Sequence, residues 1–366
     1  MGASFCYRCM APLNNEETIC PHCKGALPYV AADGKDIVPG TLVGARFIIG
    51  RSLGRGGFGA TYLAFDLLTR MVCAVKEFFP DGMCQRGVNG VHVIPNAATE
   101  HQYRVYKSNF VDEARRLFSL TDHCGIVKVI QQFVENGTAY FAMEYIDGAS
   151  LKEYLRRYPQ GLMPREALEM IAQLLQALAA VHQNGLLHRD ISADNVMRTR
   201  RGQIKLIDFG SARDTRKETK TVFTKGVYTA PEQKLGDKQR ACTDLYAVGV
   251  LLFQLLVGRV PAVTDGVLES LRSAQKGLNE ATYRLYEMAT AMNPNCRYQH
   301  AGDMLLDLES ALHTLPRHMK IKGKMAQGRG KHPAKNARQQ RLKGYLAILG
   351  LVLLLLCLLL IIIGSL

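Results

Sequence analysis

Two short segments, HRDISADN (His188–Asn195) and IDFG (Ile207–Gly210), constrain this chain more than any other feature. The first puts a carboxylate, Asp190, and an amide, Asn195, five residues apart on a short loop after a helix. The second puts Asp208 just after the strand-like run IKLI. Carboxylate and amide oxygens are hard donors that suit a hard divalent cation. The helix is legible between Pro164 and Gly185, where Leu168, Ile171, Leu174, Leu175, Leu178 and Val181 recur at helical spacing. A second apolar helix is expected from Leu245 to Val257. Upstream, RFIIGRSLGRGGFGATYLAFD and MVCAVKEFF read as strands of a small sheet. Strands first and helices second predict a two-lobed α+β fold.

Further motifs precede and follow these. Gly54, Gly56 and Gly59 give the spacing G-x-G-x-x-G, with Gly57 as an extra. Backbone without side chains can approach a phosphate closely and offer it N–H groups. Strands flank this turn on both sides, which argues against a dinucleotide-binding turn, where a helix follows. By itself such a hairpin is a common object. Lys76, in AVKE on the next strand, is placed where an ammonium could reach bound phosphates. APEQ spans Ala230 to Gln233.

In this order and approximate spacing, the five motifs resemble those of eukaryotic-like (Hanks-type) Ser/Thr protein kinases. HRDIS and the EQ ending resemble the bacterial membrane-anchored kind in particular. The resemblance covers about residues 43–315. It implies a protein kinase fold with a small β-rich N-lobe and a larger helical C-lobe. It also implies ATP, Mg²⁺ (or Mn²⁺), protein substrates, and a homodimer for autophosphorylation. Phosphoryl transfer depends on positioning and charge neutralisation more than on covalent chemistry. The resemblance gives Lys76 the α/β-phosphates, with Glu113 of FVDEARRLFSL orienting it. Asp112 is adjacent, but helix phase favours Glu113, since Leu117 then faces the core beside Phe209. Asp190 is implied to orient the substrate hydroxyl and accept its proton, while Asn195 and Asp208 hold Mg²⁺. Met143, Glu144, Tyr145 and Ile146 look like gatekeeper and hinge, and Ala74 and Met197 would sandwich adenine. Gly54, Gly56, Gly57, Gly59 and Thr61 complete the implied ATP seat. Asp244 resembles the carboxylate that braces the HRD backbone, and Arg297 resembles the partner of Glu232.

Three departures from the family pattern stand out. Ser192 replaces the usual lysine of the catalytic loop. TKGVYTAPE is about two residues short, with Val227 near the position of a missing threonine. Between Lys76 and Glu113 lie 36 residues, which suggests an insert over about residues 78–109. That insert either tunes the helix bearing Glu113 or is a surface loop. Thr221 and Thr224, among Arg213, Arg216, Lys217, Lys220 and Lys225, are candidate phosphosites, because a phosphate there could order the loop by pairing with local cations.

The flanks carry other chemistry. Cys6-x2-Cys9 and Cys20-x2-Cys23, ten residues apart, have the layout of a small zinc ribbon over residues 1–27. So short a unit lacks the core to fold without a staple, and a redox dithiol pair is the alternative. The other cysteines are scattered, as suits a reducing compartment. A connector covers 28–42 and a basic juxtamembrane linker 316–343. Ten of the fourteen excess positive charges fall between Arg317 and Lys343, a stretch without Asp or Glu. No aromatic residues interleave that linker, which argues against nucleic acid as a partner. Residues 344–366 are expected to form a transmembrane helix. From Tyr345 to Ile363, fifteen of nineteen residues are Leu, Ile or Val, worth about 4–9 kcal/mol of insertion. The basic linker beside it predicts a cytoplasmic kinase domain at a plasma membrane, bound to anionic lipid. The ribbon's partner is not legible. The rival reading is a membrane-tethered pseudokinase scaffold that binds nucleotide without turnover. Intact Lys76, Asp190, Asn195 and Asp208 speak against it.

Overall fold

The computed structural model describes residues 4–14, 17–29, 34–120, 123–210, 213–214 and 226–315. All belong to one unit, Met1–Pro316; a second unit, Arg317–Leu366, lies outside the described residues. The chain starts with a two-stranded hairpin, β1 (Ser4–Phe5) and β2 (Pro12–Leu13). The N-lobe sheet begins with β3 (Leu42–Val43), β4 (Phe47–Gly56), β5 (Gly59–Asp66) and β6 (Met71–Phe78). A hairpin of β7 (Cys84–Arg86) and β8 (Val93–Pro95) follows, then helix α1 (Glu100–Phe118). Strands β9 (Val129–Glu135) and β10 (Thr138–Glu144) complete an antiparallel sheet in the order β3-β4-β5-β6-β10-β9.

Alternation along β6 sends Cys73, Val75 and Glu77 to one face, and Ala74, Lys76 and Phe78 to the other. Each face has its own core. On the inner face, Phe78 and Phe141 pack with Tyr103 and Phe110 of α1. On the outer face, Phe47, Ile49, Tyr62, Cys73, Val75 and Tyr140 pack with Ile37 from the connector.

The C-lobe runs through β11 (Gly148–Ser150), α2 (Leu151–Leu155) and α3 (Pro164–Gln183). Three short strands follow, β12 (Leu186–Leu187), β13 (Val196–Thr199) and β14 (Ile204–Leu206), and then β15 (Arg213–Asp214). The remainder is helical: α4 (Pro231–Leu235), α5 (Ala241–Val257), α6 (Leu271–Ala274), α7 (Glu280–Ala289) and α8 (Ala301–Thr314). Proline at the first position of α3 suits a helix start. Its periodic apolar residues are all buried, as the spacing predicts. Helix α5 is apolar on nearly every side and accordingly lies in the middle of the lobe. It ends at Gly258, whose φ of 86° is a left-handed cap.

The suspected insert is an integral part of the N-lobe. Residues 100–109 are the opening turns of α1, and the rest is chiefly the β7–β8 hairpin. From β7, Arg86 makes a two-pronged ion pair with Glu77, Nη1 to Oε1 at 2.6 Å and Nη2 to Oε2 at 2.7 Å. Glu77 is fully buried and also accepts from the hydroxyls of Tyr62, at 3.0 Å, and Tyr140, at 3.2 Å.

One expectation needs correction. Among the described residues no helix is long and apolar enough to cross a membrane. The two longest, α1 and α3, keep charged residues on their outer sides and spend their apolar stripes on the protein core. The membrane location assigned above is overturned on this finding, and residues 344–366, on which it rested, lie outside the described residues.

Removing one partner of a buried ion pair strands the other charge, at a cost of about 3–5 kcal/mol. Arg86→Met should therefore lower unfolding stability by about that amount in urea titrations. Arg104→Ala, which breaks an exposed pair with Glu100, should change it by less than about 0.5 kcal/mol.

Candidate active site

Between the lobes, β6, α1 and the turn after β14 bring three charges together. Lys76 Nζ lies 2.9 Å from Glu113 Oε1 and 3.3 Å from Asp208 Oδ1. Of the two adjacent carboxylates, Glu113 is buried, while Asp112 pairs with Arg115 at the surface. Leu117 and Phe209 are buried in the same apolar cluster, as helix phase predicts. Asp208 has a φ of 62°, and its Oδ1 also accepts the Gly210 N–H at 3.2 Å. The Lys76 ammonium holds the Asp208 carboxyl down at about 2, against the opposing effect of burial. Burial pushes Glu113 up, and Lys76 pulls it back. For Lys76, burial favours the neutral form, but Asp208 and Glu113 outweigh it and hold the ammonium protonated.

The catalytic loop is braced from below. Asp244, on α5, accepts the backbone N–H groups of His188 at 2.9 Å and Arg189 at 2.7 Å. It also contacts His182 Nε2 at 2.9 Å, a brace that no sequence motif announced. Burial raises the Asp244 carboxyl, yet these contacts leave it below its ordinary value. Arg189 takes a φ of 68°, and its carbonyl accepts from Gln233 Nε2 at 2.9 Å. His188 stacks edge-on against Phe209 at 4.6 Å, and burial keeps it neutral. Asn195 Nδ2 donates to Asp190 at its carbonyl, 2.8 Å, and its carboxylate, 2.7 Å. Those bonds use the Asn195 amide nitrogen and leave its Oδ1 as an acceptor, while the Asp208 side chain is 45% exposed. The donor chemistry fits a hard divalent cation. Arg297 and Glu232 form the expected buried pair, at 2.8 and 3.0 Å.

Strand registers place the expected nucleotide residues in rows on the inner face. Thr61 lies opposite Lys76, and Ala74 lies between Leu63 and Met143. Gly54, Gly56 and Gly57 are open: a Cβ there would meet nothing within 4 Å. Gly59 differs, since its Cβ would collide with the Glu77 carbonyl. The Glu144 carboxylate is bound through Oε1 to Lys205 at 2.6 Å and the Lys128 N–H at 2.9 Å, and its own N–H is spent on the Lys128 carbonyl at 2.9 Å. Ile146 is buried, and Met197 packs at the edge of the core.

The departures acquire physical form. Ser192 is fully buried, and its Oγ has no hydrogen-bond partner among the described residues. Val227 packs with Ala230, Tyr246 and Val250. Thr221 and Thr224 lie outside the described residues.

A second cluster lies at the N-terminus. The Sγ atoms of Cys6, Cys9, Cys20 and Cys23 all fall within 4.8 Å of one another, with Cys6–Cys23 and Cys9–Cys20 at 3.7 Å. Four thiolates around Zn²⁺ at about 2.3 Å would be separated by about 3.8 Å. Both CxxC turns close alike, the Met10 N–H on the Cys6 carbonyl and the Lys24 N–H on the Cys20 carbonyl. The residue after each pair has positive φ, 61° at Met10 and 59° at Lys24.

Charge removal at Lys76 has a pH signature. Asp208 is depressed in the folded state, so its contribution to stability is present above the ordinary carboxylate value of 3.8 and fades as pH falls towards about 2. Lys76→Met abolishes that contribution. Wild-type and variant stabilities should differ above pH 4 and converge near pH 2 in acid-unfolding curves.

Comparison with known proteins agrees with this geometry. Residues 47–307 match the protein kinase domain family. A probable serine/threonine-protein kinase of Streptomyces coelicolor is 34% identical over 295 residues, 75% of this chain and 41% of that protein. Serine/threonine-protein kinase PrkC of Bacillus subtilis is 32% identical over 287 residues, 74% of this chain and 41% of PrkC. The chain thus spans about two fifths of the length of these curated relatives. The solved apo form of PpkA-294 superposes with a TM-score of 0.66 at 28% identity, covering 75% of this chain and 99% of that one. The chain belongs to the protein kinase family.

Proposed function

We propose that this protein transfers the γ-phosphoryl group of ATP to Ser and Thr hydroxyls of protein substrates. The carrying observation is the assembled Lys76–Glu113–Asp208 constellation beside an Asn195-bound Asp190. Glu113 aims the Lys76 ammonium at the α/β-phosphates, and the rows Thr61–Lys76 and Leu63–Ala74–Met143 form the roof of the nucleotide seat. Open Gly54, Gly56 and Gly57 let backbone N–H groups approach phosphate oxygens. Asn195 and Asp208 present hard oxygen donors, and Mg²⁺ (or Mn²⁺) held by them supplies charge neutralisation on the phosphates. Asp190 orients the attacking hydroxyl and takes its proton as the oxygen–phosphorus bond forms and ADP leaves. The Asn195 amide fixes its rotamer, and Asp244 fixes the backbone beneath it.

Residues 1–27 are proposed to be a structural zinc ribbon. Cys6, Cys9, Cys20 and Cys23 would supply all four ligands of a tetrahedral Zn²⁺, which would leave no open position for catalysis.

Two measurements test these readings. Full-length protein with labelled ATP and Mg²⁺ should transfer phosphate to itself or to a generic Ser/Thr substrate. Asp190→Asn should lower the rate by about 10²- to 10⁴-fold, with ATP affinity retained. Absence of transfer by folded, ATP-binding wild type would instead mean a nucleotide-binding scaffold. For the ribbon, metal analysis should return one zinc per chain, lost in Cys9→Ser together with the thermal stability of the N-terminal unit.

A further inference from the structure

Arg55 is the one side chain in the run Gly54–Gly57, and it is held from outside the kinase fold's own sheet. In the β4–β5 register Arg55 faces Ala60, which is buried on the outer face, whereas Gly54 faces Thr61 in the row of Lys76. Its guanidinium lies 5.3 Å from the centre of the Phe79 ring, and its Nη2 meets Asp36 Oδ1 at 2.7 Å. The two side chains are only 20% and 15% exposed, so water and salt screen this pair less than a surface pair.

Asp36 belongs to the connector between the cysteine cluster and the sheet, and its neighbours are fixed. The Lys35 carbonyl accepts from Arg86 Nε at 3.1 Å and Nη2 at 2.7 Å. Ile37 is buried in the outer-face core, and its N–H reaches the Tyr62 hydroxyl at 3.3 Å. Upstream on β4, Arg51 is bound to the cysteine unit, its N–H to the Tyr7 carbonyl at 2.7 Å and its Nε to the Arg8 carbonyl at 3.0 Å. At the tip of the turn, the Phe58 carbonyl accepts from the Phe79 N–H at 3.0 Å, and the Gly57 carbonyl from the Asp81 N–H at 3.2 Å. Between these two anchorages the backbone passes through glycines, which have the most conformational freedom to lose. Arg55 is the handle by which that stretch can be held.

We infer that Asp36 is a positioning residue for phosphate binding: by holding Arg55 on the outer face it presets the height of the Gly54–Gly57 backbone over the nucleotide phosphates. The inference rests on the nucleotide seat proposed above. Preorganisation of this kind improves binding by removing an ordering cost, without a new contact to the ligand. Asp36 itself touches no substrate. Its loss should therefore appear as weaker ATP binding and a higher KM with kcat nearly unchanged, the signature of lost uniform binding.

Calorimetric titration of the full chain with ATP and with adenosine separates the possibilities, since adenosine lacks the phosphates. Asp36→Asn and Arg55→Met should each weaken ATP binding about fivefold, the scale of one partly exposed ion pair. Adenosine binding should stay unchanged, and the melting temperature should fall by only about 2–4 °C. The double variant should be no weaker than either single one, and Asp36→Arg combined with Arg55→Asp should recover most of the affinity. Equal losses for ATP and adenosine would show general loosening of the lobe and overturn the inference, as would additive losses or unchanged ATP affinity. Failure of the wild type to bind ATP would be seen before any variant and would overturn the nucleotide seat itself.

Discussion

Two consecutive residues, Lys76 and Glu77, leave β6 on opposite faces, and the N-lobe is organised around satisfying both. Lys76 needs carboxylates on the inner face and finds Glu113 and Asp208. Glu77 needs a cation on the outer face and finds Arg86, with two tyrosine hydroxyls completing its acceptors. A buried charge without partners costs several kcal/mol, so neither pair is optional once the strand is in the sheet. The inner pair fixes the rotation of α1 against the sheet. The outer pair fixes the hairpin that precedes α1. One strand thus couples the chemistry to the scaffold, with no residue separating them.

How much of this was legible depended on sequence distance and on chemical type. The strands and helices around Lys76, Asp190 and Asp208 could be placed because glycine spacing, helical periodicity and motif order are local signals. Glu113 was recoverable because helix phase ties it to Leu117. Arg86 was not. It sits in a stretch without strong periodicity, and its partner is defined only when β7 folds back over β6. A segment that read as an insert, either tuning the helix of Glu113 or forming a surface loop, is a structural brace plus the first turns of α1. The His182 contact to Asp244 was missed for a similar reason, because a lone histidine at the end of an amphipathic helix carries no signal of its partner.

Ser192 and Val227 show how a departure from pattern can be read in the wrong currency. From the sequence, Ser192 stands where the family has a lysine, and Val227 stands near the position of a missing threonine. In the fold, Ser192 is fully buried and Val227 packs with Tyr246 and Val250 of α5. The two positions therefore report on packing beneath the catalytic loop as much as on charge above it. Asp190 is oriented without them, through Asn195 at its side chain and through Asp244 and Gln233 at the neighbouring backbone. Those groups lie on the loop itself and on α4 and α5, so the site is held by helices of the C-lobe.

The outer face of the sheet shows why residue 43 is a poor domain boundary in energetic terms. An antiparallel sheet can leave one face in water when that face alternates to polar residues. Here it carries Phe47, Ile49, Tyr62, Val75 and Tyr140, all buried. They are covered in part by Ile37, which lies in the segment that reads from sequence as a connector. The cysteine unit joins the same structure at Arg51, while the Tyr7 carbonyl lies so close to Gly50 that a Cβ there would collide with it. Phe5 adds a ring contact to Phe65 at 4.4 Å. A fold cut at residue 43 would expose apolar surface, take the Lys35 carbonyl from Arg86 and take Asp36 from Arg55. The N-terminal residues are thus part of what holds the sheet, whatever metal or partner the cysteines take.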